Sequence, residues 1–326
     1  MPLGGIGVTM FFVLSGFLIT GLLLEEQQAT GRVALGAFYA RRARRILPAL
    51  LALIVAVIIA SFFLGPWWFE WSDLPPALFF YTNWVEAFSP TAGTTLGALS
   101  ITWSLAIEEQ FYLIWPILVI ALRGRRNVVM LAIVLAVASL LARFLLAGEP
   151  PARTYLGSDT AAFALLIGAA AVGLRLAGGP GRSRPWLLVL GAAGIAVAAS
   201  VPAELATTIG IPLAAVGMVV VLWACTGATG FAVLESRVLR WLGSRSYGLY
   251  LWHGPILGAM REYYGLPWPV VALVGVPISL ALAEVSWRFI EQPWRRRRSV
   301  DHAAGCARPG SAYAPLAPAL GVRAVD

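Results

Sequence analysis

Lysine is absent from this 326-residue chain, so all 24 of its basic side chains are arginines. Charge as a whole is scarce, at 12% of residues, about half of the roughly 25% that coats an ordinary soluble domain. That excludes a water-facing globule, and also a disordered chain, which would be polar and rich in charge. There are two cysteines, Cys225 in an apolar run and Cys306 near the end. They are too few for a disulfide framework or a cysteine metal cluster. No Walker loop, dinucleotide fingerprint, HExxH or GxSxG occurs, which argues against a transport ATPase, a zinc protease or an esterase. No metal is expected. The 33 glycines have no period, which excludes a collagen-like chain. What is plentiful is apolar surface: 59% of residues are hydrophobic and mean hydropathy is +0.79. These figures describe an integral membrane protein.

A bilayer core of roughly 30 Å takes about 20 apolar residues to cross as a helix, and only helices or closed barrels satisfy the backbone there. The apolar runs predict an all-α polytopic membrane bundle of about nine spans, near 6–24, 46–64, 99–122, 128–146, 160–176, 186–200, 209–226, 246–262 and 269–289. Of the 24 arginines, 21 fall in one set of alternate loops and flanks, and only Arg143, Arg153 and Arg261 fall in the other. Arginine-rich loops face the cytoplasm, so the C-terminus is expected inside and the 65–98 loop outside. That loop has no arginine, three acids (Glu70, Asp73, Glu86) and a tryptophan-rich stretch (Trp67, Trp68, Trp71). It suits uncharged hydroxyl compounds better than polyanions, and its aromatics suit an interfacial belt equally well. The net charge of +8 is thus a matter of topology, and no nucleic-acid partner is expected. The Ala-, Gly-, Leu- and Arg-rich composition points to a bacterial plasma membrane protein from a GC-rich coding sequence. Residues 1–294 are expected to form the bundle and 295–326, basic and then Ala/Pro-rich, a disordered cytoplasmic tail. Nine spans with an inside C-terminus place the N-terminus outside, and a further helix ahead of residue 1 is the expected remedy.

Ionisable side chains inside spans are costly and are functional candidates by default. The segment ITWSLAIEEQFYLIWP carries Glu108 and Glu109 near mid-depth, and Ser104, Glu108 and Tyr112 share one helical face at intervals of four. A carboxylate satisfied by a neighbouring helix is the structural alternative for both acids. His253, in SRSYGLYLWHGPIL, lies near the middle of its span with Tyr250 three residues before it. It could carry a proton, or simply pack. FYARRARRILP places Arg42 and Arg45 on one face at the mouth of the second span. Positive-inside topology explains them, but paired guanidinium forks also suit a phosphorylated cofactor. In GVTMFFVLSGFLIT, Ser15 and Gly16 are small residues that allow close helix approach. Arg153 and Asp159 lie in an outer segment, where Asp159 could cap the next helix.

Five stretches, FFVLSGFLITGLLL, GRVALGAFYARRARRILP, TWSLAIEEQFYLIWP, SYGLYLWHGPI and RFIEQPWRRR, occur in order over residues 4 to 298. Together they resemble acyltransferase family 3, the O-antigen acetylase-like multi-span membrane acyltransferases. The resemblance implies about ten helices and an acyl-CoA donor, acetyl-CoA first among them. It further implies a hydroxyl acceptor on a carbohydrate or small molecule, in contact with membrane lipid. It assigns Arg42, Arg45 and Ser15 to the acyl-CoA site, with Ser15, Gly16 and Phe17 on the family's Ser-Gly-Phe element. Trp103, Ser104, Leu105 and Glu108 fall on a second element, and Tyr250 to His253 on a third. Arg153, Asp159, Trp103 and Tyr250 are the expected acceptor-binding residues.

The family's catalytic histidine lies on a first helix upstream of the Ser-Gly-Phe run, so the resemblance implies a missing helix here. It would make His253 something other than the general base, and residues 1–326 alone weak or inactive. The alternative makes Glu108 and His253 a catalytic pair across the bundle. Where members commonly read Asp-Thr-Arg-Ala-Asp, this chain reads Asp159, Thr160, Ala161, Ala162, Phe163, which leaves the acceptor class open. The resulting expectation is an integral-membrane O-acyltransferase. Its rivals are a transporter or permease for a lipid or polyol, which would share the helices and the midplane Glu and His, and a non-catalytic fragment.

Overall fold

The computed structural model describes residues 2–65, 68–89, 96–176, 185–225 and 235–294. Trp67, Arg182, Arg184 and the expected tail from 295 to 326, with His302 and Cys306, lie outside them. Among the described residues there is no strand. The long helices are α1 (Pro2–Thr30) and α2 (Leu35–Leu64), then, after short α3 (Leu74–Leu78) and α4 (Thr82–Phe88), α5 (Trp103–Leu122) and α6 (Arg125–Leu145). Short α7 (Pro151–Leu156) leads into α8 (Ser158–Leu176) and α9 (Pro185–Ser200). The bundle ends with α10 (Ala203–Cys225), α11 (Arg237–Gly258) and α12 (Trp268–Trp294).

Seven helical segments among the described residues are long and apolar enough to cross a membrane. They account for seven of the nine expected spans and make the chain a multi-pass membrane protein. The other two spans are helical but differ in kind. The helix α9 has 16 residues, about 24 Å at 1.5 Å per residue and short of a full crossing. The first half of α11 carries Arg237, Arg240 and Arg245, which lowers its hydropathy. The outer surface is apolar: Phe62 is 78% exposed, Phe63 81% and Leu145 84%, as expected where the solvent is lipid.

Three helices set the centre. Down α1 and α5, contacts advance in step, from Phe12 beside Trp103 through Ser15 on Glu108 to Trp115 Nε1 donating to Thr20 (2.8 Å). The two helices therefore run parallel. Helix α8 crosses α1 in the opposite sense, and two glycines make that crossing possible. A Cβ at Gly16 would overlap the Leu165 carbonyl, and one at Gly168 would overlap the Val13 carbonyl. The small-residue reading of Ser15–Gly16 is thus realised as backbone contact with α8. Helix α11 closes the other side, where the Tyr247 hydroxyl donates to the Ile46 carbonyl of α2 (3.0 Å).

The described residues of the 65–98 loop are folded inward more than their composition suggests. Glu86 is fully buried, where it accepts from the Leu96 N–H (3.2 Å) and the Ser100 hydroxyl. Asp73 is buried too, and accepts from the Glu70 N–H (2.7 Å). Burial pushes its carboxyl above the ordinary range, against the Glu70 N–H bond that lowers it. Two of the three acids thus hold the loop together and do not face an acceptor, because a buried carboxylate near backbone N–H groups is captured by them. Trp68 is buried, while Trp71 remains exposed.

Candidate functional site

The interior of the bundle holds a connected polar group shared by α1, α2 and α5. From α1 the Ser15 hydroxyl donates to Glu108 Oε1, and from one turn further along α5 the Tyr112 hydroxyl donates to the same oxygen. Arg42, reaching in from α2, sets its Nη2 3.7 Å from that oxygen and its Cζ 3.3 Å from the centre of the Tyr112 ring. The guanidinium is thus held by a carboxylate on one side and a π-face on the other. Glu109, Arg45 and Tyr247 lie within its electrostatic reach. Two buried atoms of this group have no hydrogen-bond partner, the donor Arg42 Nε and the acceptor Glu109 Oε1. A buried orphan donor and a buried orphan acceptor beside an ion pair are polar capacity that a ligand could satisfy.

Sequence reading paired Arg42 with Arg45, and the structure separates them. Residues three apart on a helix differ by about 60° in direction. That is enough to turn Arg42, with its side chain 12% exposed, into the bundle while Arg45 stays on the surface. Ser104 also leaves the Glu108 stripe, meeting the Tyr250 hydroxyl of α11 at 2.5 Å. Tyr250 further donates to the Ile101 carbonyl (2.7 Å). His253 uses Nδ1 on its own helix, against the carbonyls of Tyr250 (2.6 Å) and Leu249 (3.2 Å). No contact joins it to Glu108 among the described residues.

Toward the start of α5, Trp103 packs against Tyr155 of α7, ring centres 4.9 Å apart. With Thr9, Phe12 and Arg143 they line a cavity of about 10 Å³, room for about one water. Arg143, read from sequence only as a cation in an arginine-poor flank, is 1% exposed. Its Nη1 donates to the Thr160 carbonyl (2.9 Å) and its Nε to that of Thr207 (2.5 Å), tying α6 to α8 and α10. Its Nη2 is buried without a partner, and no carboxylate pairs with it among the described residues. Arg143→Lys keeps the charge and loses the fork. It is expected to cost about 1–3 kcal/mol, read as a lower unfolding temperature in detergent; an unchanged temperature would show that the clamp carries no load.

At the same end Arg153 and Asp159 form a bidentate ion pair (2.6 and 2.9 Å), with the guanidinium 5.5 Å from the Trp84 ring and 5.4 Å from Phe88. Asp159 is thereby engaged by Arg153 and does not cap α8 through its side chain. The polar ring beside it was missed from sequence. Gln110 donates to Asn83 (2.9 Å), Asn83 to Ser158 (2.9 Å), and Ser158 back to Gln110 (2.5 Å). Gln110, directly after the paired glutamates of a span, was the available signal.

A bundle that crosses the membrane several times around a buried arginine–carboxylate pair is an integral membrane protein built about a polar reaction or transport centre. The family described as acyltransferase domain matches residues 1–288, and the chain belongs to it. It is similar to the peptidoglycan O-acetyltransferase OatA of Listeria monocytogenes (34% identity, covering 93% of this chain and 53% of that protein). It is also similar to the O-acetyltransferase OatA of Staphylococcus aureus (32% identity, 90% of this chain and 53% of that protein). The chain thus spans about half the length of these relatives. No solved structure matches it.

Proposed function

We propose that this chain is the membrane unit of an O-acetyltransferase that moves a short acyl group from acyl-CoA to a hydroxyl of a cell-envelope carbohydrate. It would sit in a bacterial plasma membrane with its arginine-rich ends in the cytoplasm, following the charge rule. Family membership and the relatives' names support the reaction class, and the Arg42–Glu108–Tyr112–Ser15 group carries the reading. In the reaction the acceptor oxygen bonds to the thioester carbonyl carbon and the carbon–sulfur bond breaks. The proton that left the hydroxyl ends on the released thiol. Negative charge grows on the carbonyl oxygen as the attack proceeds, and Arg42 Nε is a fixed donor in a low-dielectric site, where such a donor has most effect. Glu108 holds Arg42 in place, and Glu109 Oε1 accepts from a donor on the substrate. Trp103, Tyr250 and the Arg153–Asp159 pair would meet the acceptor from the opposite end.

Expression of the full-length gene product in a bacterium with its own O-acetylation genes deleted should place base-labile acetate on its envelope polysaccharide, measured by mass spectrometry. Acetate levels equal to the empty-vector control would reject the reading. His253 is assigned a positioning role. His253→Asn keeps a donor where Nδ1 now bonds the Tyr250 carbonyl and removes Nε2, so acetylation should stay within about threefold of the parent. A loss of about 10²-fold or more, the typical effect of deleting a general base, would make Nε2 a proton carrier instead.

A further inference from the structure

Helices α1 and α5 end side by side, and their last turns with the loops that follow enclose a cleft of about 650 Å³. That lies within the roughly 300–1,000 Å³ of small-molecule sites. Gln27, Gln28, Arg32, Arg123 and Arg125 line it. None of these three arginines has an ion-pair partner among the described residues. Glu26, the nearest acid in sequence to Arg32, is already engaged by the Ala34 N–H (3.0 Å) and by Arg41 (3.9 Å).

Two features make the arrangement unfavourable for an empty cleft. Arg123 has φ +42°, a left-handed conformation in which a β-carbon is strained and which glycine ordinarily fills after a helix. Arg125 and Arg126 occupy the first turn of α6, which holds no acid, at the end where the helix dipole is already positive. The cleft therefore concentrates positive potential, and none of its arginines is ion-paired among the described residues. Guanidinium forks match phosphate oxygens in pairs, and the Gln27 and Gln28 amides can bond a base or a sugar.

Distance links this cleft to the interior group. Its inner wall, Leu24 on α1 and Ile120 on α5, is nine residues from Ser15 and twelve from Glu108, about 14 to 18 Å at 1.5 Å per residue. A pantetheine arm has the contour of about five extended residues, roughly 16–18 Å. We propose that the cleft binds the phosphoadenosine pyrophosphate head of the acyl-CoA donor through Arg32, Arg123 and Arg125, with the arm reaching Arg42 and Glu108. This rests on the acyl-CoA reading above, and the cleft itself is the new assignment.

The test is calorimetric titration of the full chain in phosphatidylcholine nanodiscs with CoA, adenosine 3′,5′-bisphosphate and pantetheine. The triple variant Arg32→Gln/Arg123→Gln/Arg125→Gln should bind CoA and the bisphosphate at least about 30-fold more weakly, as expected for lost charge-assisted hydrogen bonds. It should bind pantetheine, which carries none of the phosphates, like the parent. Unchanged CoA affinity in the variant would overturn the cleft and leave the acyl-CoA reading standing. Absence of CoA binding to the parent would remove both. Phosphatidylglycerol that copurifies with the parent, is lost from the variant and blocks CoA in anionic nanodiscs would mark a lipid-headgroup site and overturn the proposal. The parent alone supplies a check independent of the variant's folding: CoA bearing an adenine azide should crosslink within 24–33 or 120–126. Crosslinks confined elsewhere would contradict it.

Discussion

Arg42→Gln should lower acetyl transfer by at least about 10²-fold, the usual effect of removing one preorganised donor from a site of developing charge. It should also destabilise the protein, because Glu108 would lose its buried counter-charge and keep only the Ser15 and Tyr112 hydroxyls. Breaking one side of a buried ion pair costs about 3–5 kcal/mol, whereas removing both sides is often close to neutral. The double variant Arg42→Gln/Glu108→Gln should therefore recover most of the lost unfolding temperature and none of the lost transfer. That split separates a reacting arginine from a structural one. Recovery of transfer together with stability would mean that Arg42 serves only to neutralise Glu108.

The second large effect is expected at the α1–α8 crossing. Gly16→Ala places a methyl group in the Leu165 carbonyl, and Gly168→Ala places one in that of Val13. Backbone cannot yield as a flexible side chain does, so each change should push the helices apart by about 1 Å or more and cost about 1–3 kcal/mol. Because Ser15 is the residue before Gly16 on α1 and donates to Glu108, the same displacement should pull the serine from the carboxylate. Loss of both stability and transfer is the expected outcome, with the two substitutions less than additive since they open one seam. Neither should weaken CoA binding in the distant cleft. Full activity in Gly16→Ala would show that the seam does not position Ser15.

Much of this site was legible in the sequence because intramembrane charge is conspicuous. Glu108 stands out in an apolar run, Arg42 belongs to the arginine cluster at the mouth of the second span, and the Glu108–Tyr112 spacing of four already implied a shared face. Other parts depended on which way a helix turns. Arg45 shares a sequence motif with Arg42 but not its surroundings, and Ser104 shares the Glu108 stripe but bonds α11. The Gln110–Asn83–Ser158 ring joins residues up to 75 apart in sequence, a separation no local pattern encodes. Arg143 looked like a flanking cation, since its partners are backbone carbonyls on other helices, which leave no trace in residue type. Of the two spans that came out short or charged, α9 is strongly apolar and its run is simply brief, while α11 begins with arginines ahead of its apolar half.

The central claim is that the Arg42–Glu108 group performs acyl transfer from a thioester. The most direct measurement uses membranes carrying the full-length gene product, incubated with acetyl-CoA radiolabelled in the acetyl group and with envelope polysaccharide. The account predicts base-labile label in the polysaccharide, CoA thiol released in equal amount, and loss of both in Arg42→Gln and in Glu108→Gln. Label transfer that is unaffected by either substitution, or thiol release without label in the polysaccharide, would contradict it.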